Sequence, residues 1–69
     1  MTATQYDALE RAIVDRSRVA IRVNGAEMVV IPEAIRILGG RELILTQNPS
    51  SGLPLLLRID DVERLEVVR

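Results

Sequence analysis

The residues of this sequence best suited to binding chemistry are its arginines. All nine basic residues are arginines, and the guanidinium group is a planar fork of donors that suits phosphate or carboxylate. The simplest explanation of this bias is the composition of the genome. The functional alternative is a binding surface for a ligand or nucleic acid, whose candidates are Arg18, Arg22, Arg41 and Arg58, with Arg36 as a further neighbour.

The arginines of "RVAIRV" have two interpretations. Arg18 and Arg22 alternate with Val19, Ile21 and Val23, as a half-buried strand with one solvated face requires. They become a functional surface only if Arg41 and Arg58 lie beside them. The net charge of −1 gives little general attraction to nucleic acid, and one tyrosine is the only aromatic residue that could stack on a base, a contact worth roughly 1–3 kcal/mol. The solvated-face interpretation is favoured.

Catalytic and metal-binding patterns are weak. The chain has no His or Cys, which removes the usual general base and the usual soft metal ligands. Asp60, Asp61 and Glu63 lack the spacing of a calcium loop, and we expect Asp60 to cap a short turn instead. Ser50 and Ser51 have no partner that would activate a hydroxyl. We predict no enzyme, no cofactor and no metal site.

One helix is predicted over residues 4–15. Thr4 is the expected N-cap, with Asp7 at the capping-box position three residues later. Tyr6, Leu9 and Ile13 form an apolar stripe at a spacing of three and four. Three turns of helix are marginal in water, so this helix must pack on another element.

From residue 18 the apolar period changes to two, which predicts strands. "NG" at 24–25 and "GG" at 39–40 indicate tight turns, "NPSSG" at 48–52 a hairpin tip, and Pro32 the end of a strand. In "RELILTQ", Leu43 and Leu45 alternate against Glu42, Ile44 and Thr46. The predicted strands are "RVAIRV", "AEMVVI", "RELILTQ", "LPLLLRI" and "ERLEVV", with "EAIRIL" as a further apolar stretch and a turn at "DDV".

These elements predict a single, mainly β domain over residues 1–69. The N-terminal helix would precede about five short strands, in a strongly bent antiparallel sheet that closes into a small barrel over residues 18–68. Closure would hide the strand edges, and the helix would cap one open end. Met1 and the clean ends favour a complete protein.

The order of motifs resembles the WYL domain, an SH3-like barrel of the Sm type that is found mostly in bacterial transcription regulators. The matching positions run from about residue 6 to 68: Leu9, Ala12, Ile13, Pro32, Ile35, Gly40, Ile59, Asp60 and Val62. Arg58 lies where those domains often carry a basic residue, whereas the tripeptide that names the family falls on Glu42, Leu43 and Ile44. The resemblance implies binding of a ligand, often nucleic acid or nucleotides.

The chain also resembles the Rof family, small Sm-like inhibitors of the terminator Rho, through Tyr6, Asp7, Leu9, Glu10 and "LLLRIDDV". Both resemblances imply a binding module in bacterial gene regulation, either self-associating or docked on a protein. A homo-oligomer is the most favoured form, because so short a chain leaves much aliphatic surface exposed. RNA, single-stranded DNA or a nucleotide is the alternative partner. Without a signal peptide or an apolar run long enough to span a bilayer, we expect a cytoplasmic protein with no membrane contact.

Overall fold

A computed structural model describes residues 1–68 as one helix and five strands. The helix α1 (Ala3–Asp15) precedes β1 (Val19–Val23), β2 (Ala26–Leu38), β3 (Arg41–Gln47), β4 (Pro54–Arg58) and β5 (Val62–Val67), with a 3-10 turn at Ile59–Asp61. All neighbouring strands are antiparallel, in the order β4-β3-β2-β1-β5. The predicted mainly β class, with one N-terminal helix and five antiparallel strands, is confirmed. Within residues 1–68, no helix is long and apolar enough to cross a bilayer.

The helix begins one residue earlier than predicted, and its N-cap lies two residues earlier. Thr2, not Thr4, is the N-cap: its hydroxyl accepts a hydrogen bond from the Gln5 backbone N–H at 3.1 Å. The Gln5 side chain accepts one from the Thr2 N–H at 2.9 Å. This reciprocal pair favours Thr2 because glutamine, three residues on, is long enough to reach back, whereas Asp7 after Thr4 is one methylene shorter than the usual capping-box acid.

Pro32 does not end a strand. It lies inside β2, whose 13 residues pair with β1 as far as Val30 and with β3 from Ile31 onward. The register shifts between Pro32 and Ala34, so a β-bulge occurs where the strand changes partner. A proline is tolerated there because it cannot donate to a regular ladder but fits a bulge. The two predicted stretches on either side of Pro32 are therefore one long, shared strand.

The predicted tight turns are present. Asn24 and Gly25 have φ of 50° and 80°, the left-handed conformation that a two-residue hairpin turn requires at both central positions. In the 48–52 loop, the Asn48 side chain accepts hydrogen bonds from the backbone N–H groups of Ser50 and Ser51 at 2.8 and 3.1 Å. Local hydrogen bonding therefore sets the hairpin tip between β3 and β4.

The sheet is not closed into a barrel, contrary to the expected closure. Within residues 1–68, β4 pairs only with β3, and β5 pairs only with β1. The 3-10 turn sends the chain directly from β4 to the opposite edge of the sheet, while Ile59 and Val62 at its ends are buried. The helix packs on β2 and β5, so its side chains cover the core without a ladder between the two edges.

The core lies between the helix and the inner face of the bent sheet. The face of β3 that lines it carries Ile44 and Thr46, both nearly inaccessible, and not the half-exposed Leu43 and Leu45. Thr46 is tolerated in the core because its hydroxyl donates a hydrogen bond to the Leu55 carbonyl at 2.7 Å. The buried hydrophobic residues are Leu9, Ala12, Val19, Ile21, Val30, Ile44, Leu57, Ile59, Val62 and Leu65.

Candidate binding surface

The outer side of β1 and β5 is a surface of mutually neutralised charges. Arg22 stands opposite Glu27 on β2 and Arg64 on β5. An ion pair joins Arg22 Nη2 to Glu27 Oε1 at 3.2 Å, and another joins Arg64 Nη2 to Glu66 Oε1 at 2.5 Å. Each guanidinium thus has a carboxylate partner. We call this surface the paired-charge face; its residues are Ala20, Arg22, Glu27, Val29, Arg64 and Glu66.

The outer side of β2, β3 and β4 has a different composition. The strand register sets three adjacent rows on it, in which leucines stand beside arginines. Partners in an antiparallel ladder point to the same side of a sheet, so these side chains form one surface. We call it the basic–aliphatic face; its rows are Ala34–Leu45–Leu56, Arg36–Leu43–Arg58 and Leu38–Arg41.

This basic–aliphatic face exposes apolar area that the fold does not cover. Leu38 is 57% exposed and Leu56 is 53% exposed, and Leu43 and Leu45 are half-buried without packing on the core. Three strands at about 4.8 Å spacing and four residue steps along β2, from Ala34 to Leu38, give a face of about 10 by 13 Å. Its exposed leucines are accessible to a second molecule.

Few carboxylates of the same chain neutralise the arginines of the basic–aliphatic face. Arg58 Nε lies 3.9 Å from Asp61 Oδ2, at the limit of an ion pair. Arg36 Nη1 donates a long hydrogen bond of 3.4 Å to the Ile35 carbonyl. Within residues 1–68, no carboxylate pairs with Arg36 or Arg41. The face is therefore basic around an aliphatic centre.

The four candidate arginines fall into two groups. Arg41 and Arg58 lie on the basic–aliphatic face, together with Arg36. Arg22 lies on the paired-charge face. Arg18 is exposed just before β1, four residues from Arg22, which is about 13 Å along an extended chain. β1 is separated from β3 by β2, and Arg22 pairs with the end of β2 farthest from Arg36.

Sequence analysis missed the leucines of the basic–aliphatic face. The alternation in β3 does not say which of its two faces is buried, because both carry apolar residues. The informative signal is Thr46, because a threonine opposite a partner carbonyl can be buried at little cost. A buried Thr46 puts Leu43 and Leu45 outside.

The role predicted for one acidic residue after β4 is not observed. The 3-10 turn has no side-chain cap, so the capping role expected of Asp60 is wrong; Asp60 lies within the turn and Arg58 occupies the N-cap position. Glu63 instead accepts a hydrogen bond from the Gly25 backbone N–H at 2.7 Å, which ties β5 to the first hairpin. Within residues 1–68, no three acidic, His or Cys side chains are grouped closely enough to hold a metal ion.

Tyr6 joins the helix to β3. Its hydroxyl donates a hydrogen bond to Glu42 Oε2, and this bond, with partial burial and the negative charges of Glu42 and Glu10, raises the pKa of Tyr6 to about 12. Ionisation would place a phenolate against a carboxylate, which is why the neutral phenol is favoured. The tyrosine is thus held by a structural contact and is not on either outer face.

A groove of about 670 Å³ runs between α1 and the end of β5, lined by Asp7, Arg11, Asp15 and Ser17 with Val67 and Val68. Comparisons with protein-family models, with curated proteins and with solved structures found no match to this chain.

Proposed function

We propose that this chain is a non-enzymatic binding module of bacterial gene regulation, acting in the cytoplasm, that self-associates or docks on a protein partner. Self-association is its principal form. The observation that carries the proposal is the basic–aliphatic face, where exposed and half-buried leucines lie beside three arginines. A surface of this composition suits a protein partner, since protein interfaces bury an apolar centre, are enriched in arginine and keep a polar, solvent-accessible rim.

The unpaired strand edges also support an interaction role. Among the described residues, β4 and β5 each leave one edge without a ladder partner. An exposed edge presents backbone donors and acceptors to a second chain. The regulatory context of the proposal rests on the WYL-like and Rof-like motif order alone.

Sedimentation equilibrium over a wide concentration range tests the proposal. We expect the wild-type chain to associate and Leu56→Asp to weaken association at least about tenfold, because a carboxylate in an apolar contact loses its water without a partner. Val29→Asp is the matched control: Val29 is a comparably exposed aliphatic residue, 42%, on the paired-charge face. A wild-type chain that stays monomeric throughout, and captures no protein through this face, contradicts the proposal.

A second candidate is an Sm-like protein that binds RNA, single-stranded DNA or a nucleotide. The observation in its favour is the grouping of Arg36, Arg41 and Arg58 with few carboxylates, since unpaired guanidinium groups suit phosphates. Against it, neither outer face carries an aromatic residue on which a base could stack.

Fluorescence anisotropy with short single-stranded RNA and DNA, at low and near-physiological salt, tests this alternative. Binding should weaken with salt and fall on Arg36→Gln with Arg41→Gln, but not on Arg22→Gln, whose guanidinium already has a carboxylate partner. Equal losses for both variants would mean that the grouping on the basic–aliphatic face is irrelevant to nucleic acid.

A further inference from the structure

The exposed side of the helix carries an apolar residue among acids. Val14 is 81% exposed, although valine is normally buried. Asp7, Glu10, Arg11 and Asp15 are exposed around it, at spacings that put them on the outward side of α1. We call Asp7, Glu10, Arg11, Val14 and Asp15 the acidic helix face; its three carboxylates outnumber its one guanidinium.

The acidic helix face is the chemical complement of the basic–aliphatic face. One presents an aliphatic side chain among carboxylates, and the other presents leucines among three guanidinium groups. Arginine binds carboxylate through two parallel hydrogen bonds, which gives such contacts direction as well as charge complementarity. Neither face contains an aromatic ring, so aliphatic packing and charge are the available means of contact.

The dimensions of the two faces also agree. From Asp7 to Asp15 the helix rises about 12 Å, which matches the length of about 13 Å of the basic–aliphatic face along β2. A helix is about 10 Å wide, close to the width of the three strands. One helix side can therefore cover the leucines while its acids reach the arginines on the rim.

The two faces do not meet within one chain. Leu9 and Ala12 turn the other side of the helix to the core, against β2 and β5. Among the described residues, no ion pair joins an acid of α1 to Arg36, Arg41 or Arg58. The complement of each face therefore has to come from another molecule.

We propose that copies of this chain associate head to tail, with the acidic helix face of one copy on the basic–aliphatic face of the next. The inference rests on the proposed self-association and names the two surfaces that make it. Because the surfaces differ, the contact is heterologous, and it forms a closed ring or an open filament according to the rotation between copies.

Two charge-reversed variants test the inference by sedimentation velocity in buffer of moderate salt. In the first, Arg36→Glu and Arg58→Glu make the sheet surface acidic; in the second, Asp7→Arg and Glu10→Arg make the helix surface basic. Each variant alone should associate at least about tenfold more weakly than the wild type, because like charges face each other. An equimolar mixture should regain association, since the reversed surfaces of the two variants complement each other.

A matched control is Arg18→Glu with Arg22→Glu, which makes the same change in charge away from the basic–aliphatic face. It should associate as the wild type does, and circular dichroism should show all variants folded. If the wild type associates but both reversals leave association unchanged, the helix-to-sheet contact is overturned while self-association stands, through the strand edges. If each variant is monomeric and the mixture stays monomeric, the pairing of these two faces is likewise overturned. A monomeric wild type removes both the contact and the proposed self-association.

Discussion

Arginines have different neighbours on the two outer faces of the sheet. On the paired-charge face, Arg22 and Arg64 each have a glutamate within 3.2 Å, and the strands there join the first hairpin to β5. On the basic–aliphatic face, Arg36 and Arg41 have no carboxylate partner among the described residues, and leucines stand between them. An arginine count therefore says little about binding: what matters is whether the register places a carboxylate or a leucine opposite each guanidinium.

The largest effect should come from the core that both faces share. Leu9→Ala should lower the free energy of unfolding by about 2–5 kcal/mol, because Leu9 is fully buried and its loss leaves a cavity. Urea denaturation followed by circular dichroism measures it. Val14→Ala, on the exposed side of the same helix, should change the unfolding free energy by less than about 0.5 kcal/mol. Two separate unfolding transitions would show that the faces belong to independent halves, and the comparison would fail.

The next effect concerns the link between the helix and β3. Tyr6 should titrate near pH 12 and not at its ordinary value of 10.0, because its hydroxyl donates to Glu42. Since the pKa is higher in the folded chain, this contact stabilises the fold fully below pH 10 and loses its contribution as the pH rises from 10 towards 12. Absorbance at alkaline pH reports on this residue alone, as the chain has no other tyrosine and no tryptophan.

Glu42→Gln is the matched variant for that titration. It keeps the size of the side chain but removes its charge, so the pKa of Tyr6 should move back towards 10.0. A pKa that stays near 12 in Glu42→Gln would mean that burial of the phenol, and not the carboxylate, controls the titration.

A smaller effect should follow from Thr46→Val. The change keeps the shape of the buried side chain but removes the hydroxyl that donates to the Leu55 carbonyl. We expect a loss of about 1 kcal/mol in the free energy of unfolding, measured by urea denaturation. Thr46→Ser, which keeps the hydroxyl, should retain the protection of the Leu55 region against hydrogen exchange. If Thr46→Val is as stable as the wild type, the hydrogen bond to the Leu55 carbonyl makes no net contribution to the free energy of unfolding.

The smallest effect on stability should come from the arginines themselves. Arg22→Gln and Arg36→Gln should each change the free energy of unfolding by less than about 0.5 kcal/mol, because both side chains are exposed and the exposed ion pair of Arg22 contributes little. Their effects on association should differ: Arg36→Gln weakens it and Arg22→Gln does not. Equal weakening by both, measured by sedimentation, would remove the distinction between the two faces.

Local sequence signals predicted the helix, strands and turns well. The continuity of β2 and the open edges of the sheet depend on pairing between distant residues. The tight turn at Asn24–Gly25, the helix stripe and the loop after Gln47 depend on neighbouring residues alone. The continuity of β2 through Pro32 depends on a change of partner strand, which no local pattern contains. The open sheet likewise depends on where β4 and β5 end relative to each other.

The candidate surface was harder to predict than the fold for the same reason. Period two places arginines on one side of each strand, but the register decides which arginines become neighbours. Arg58 and Arg36 flank Leu43 from different strands, 22 residues apart in sequence. The residues next to Arg36 and Arg58 in sequence do not distinguish these two arginines from Arg22, which stands opposite Glu27.

The pairing of β1 with β5 means that one edge of the sheet can form only late in synthesis of the chain. The hairpins β1–β2 and β2–β3 have all their residues once Gln47 has been made, and both can form from contacts close in sequence. The other edge of β1 waits for Val62–Val67, because Val19 pairs with Val67. Until then, the nascent chain presents an unpaired aliphatic strand, and this interval is when it is most exposed to misassembly with its neighbours.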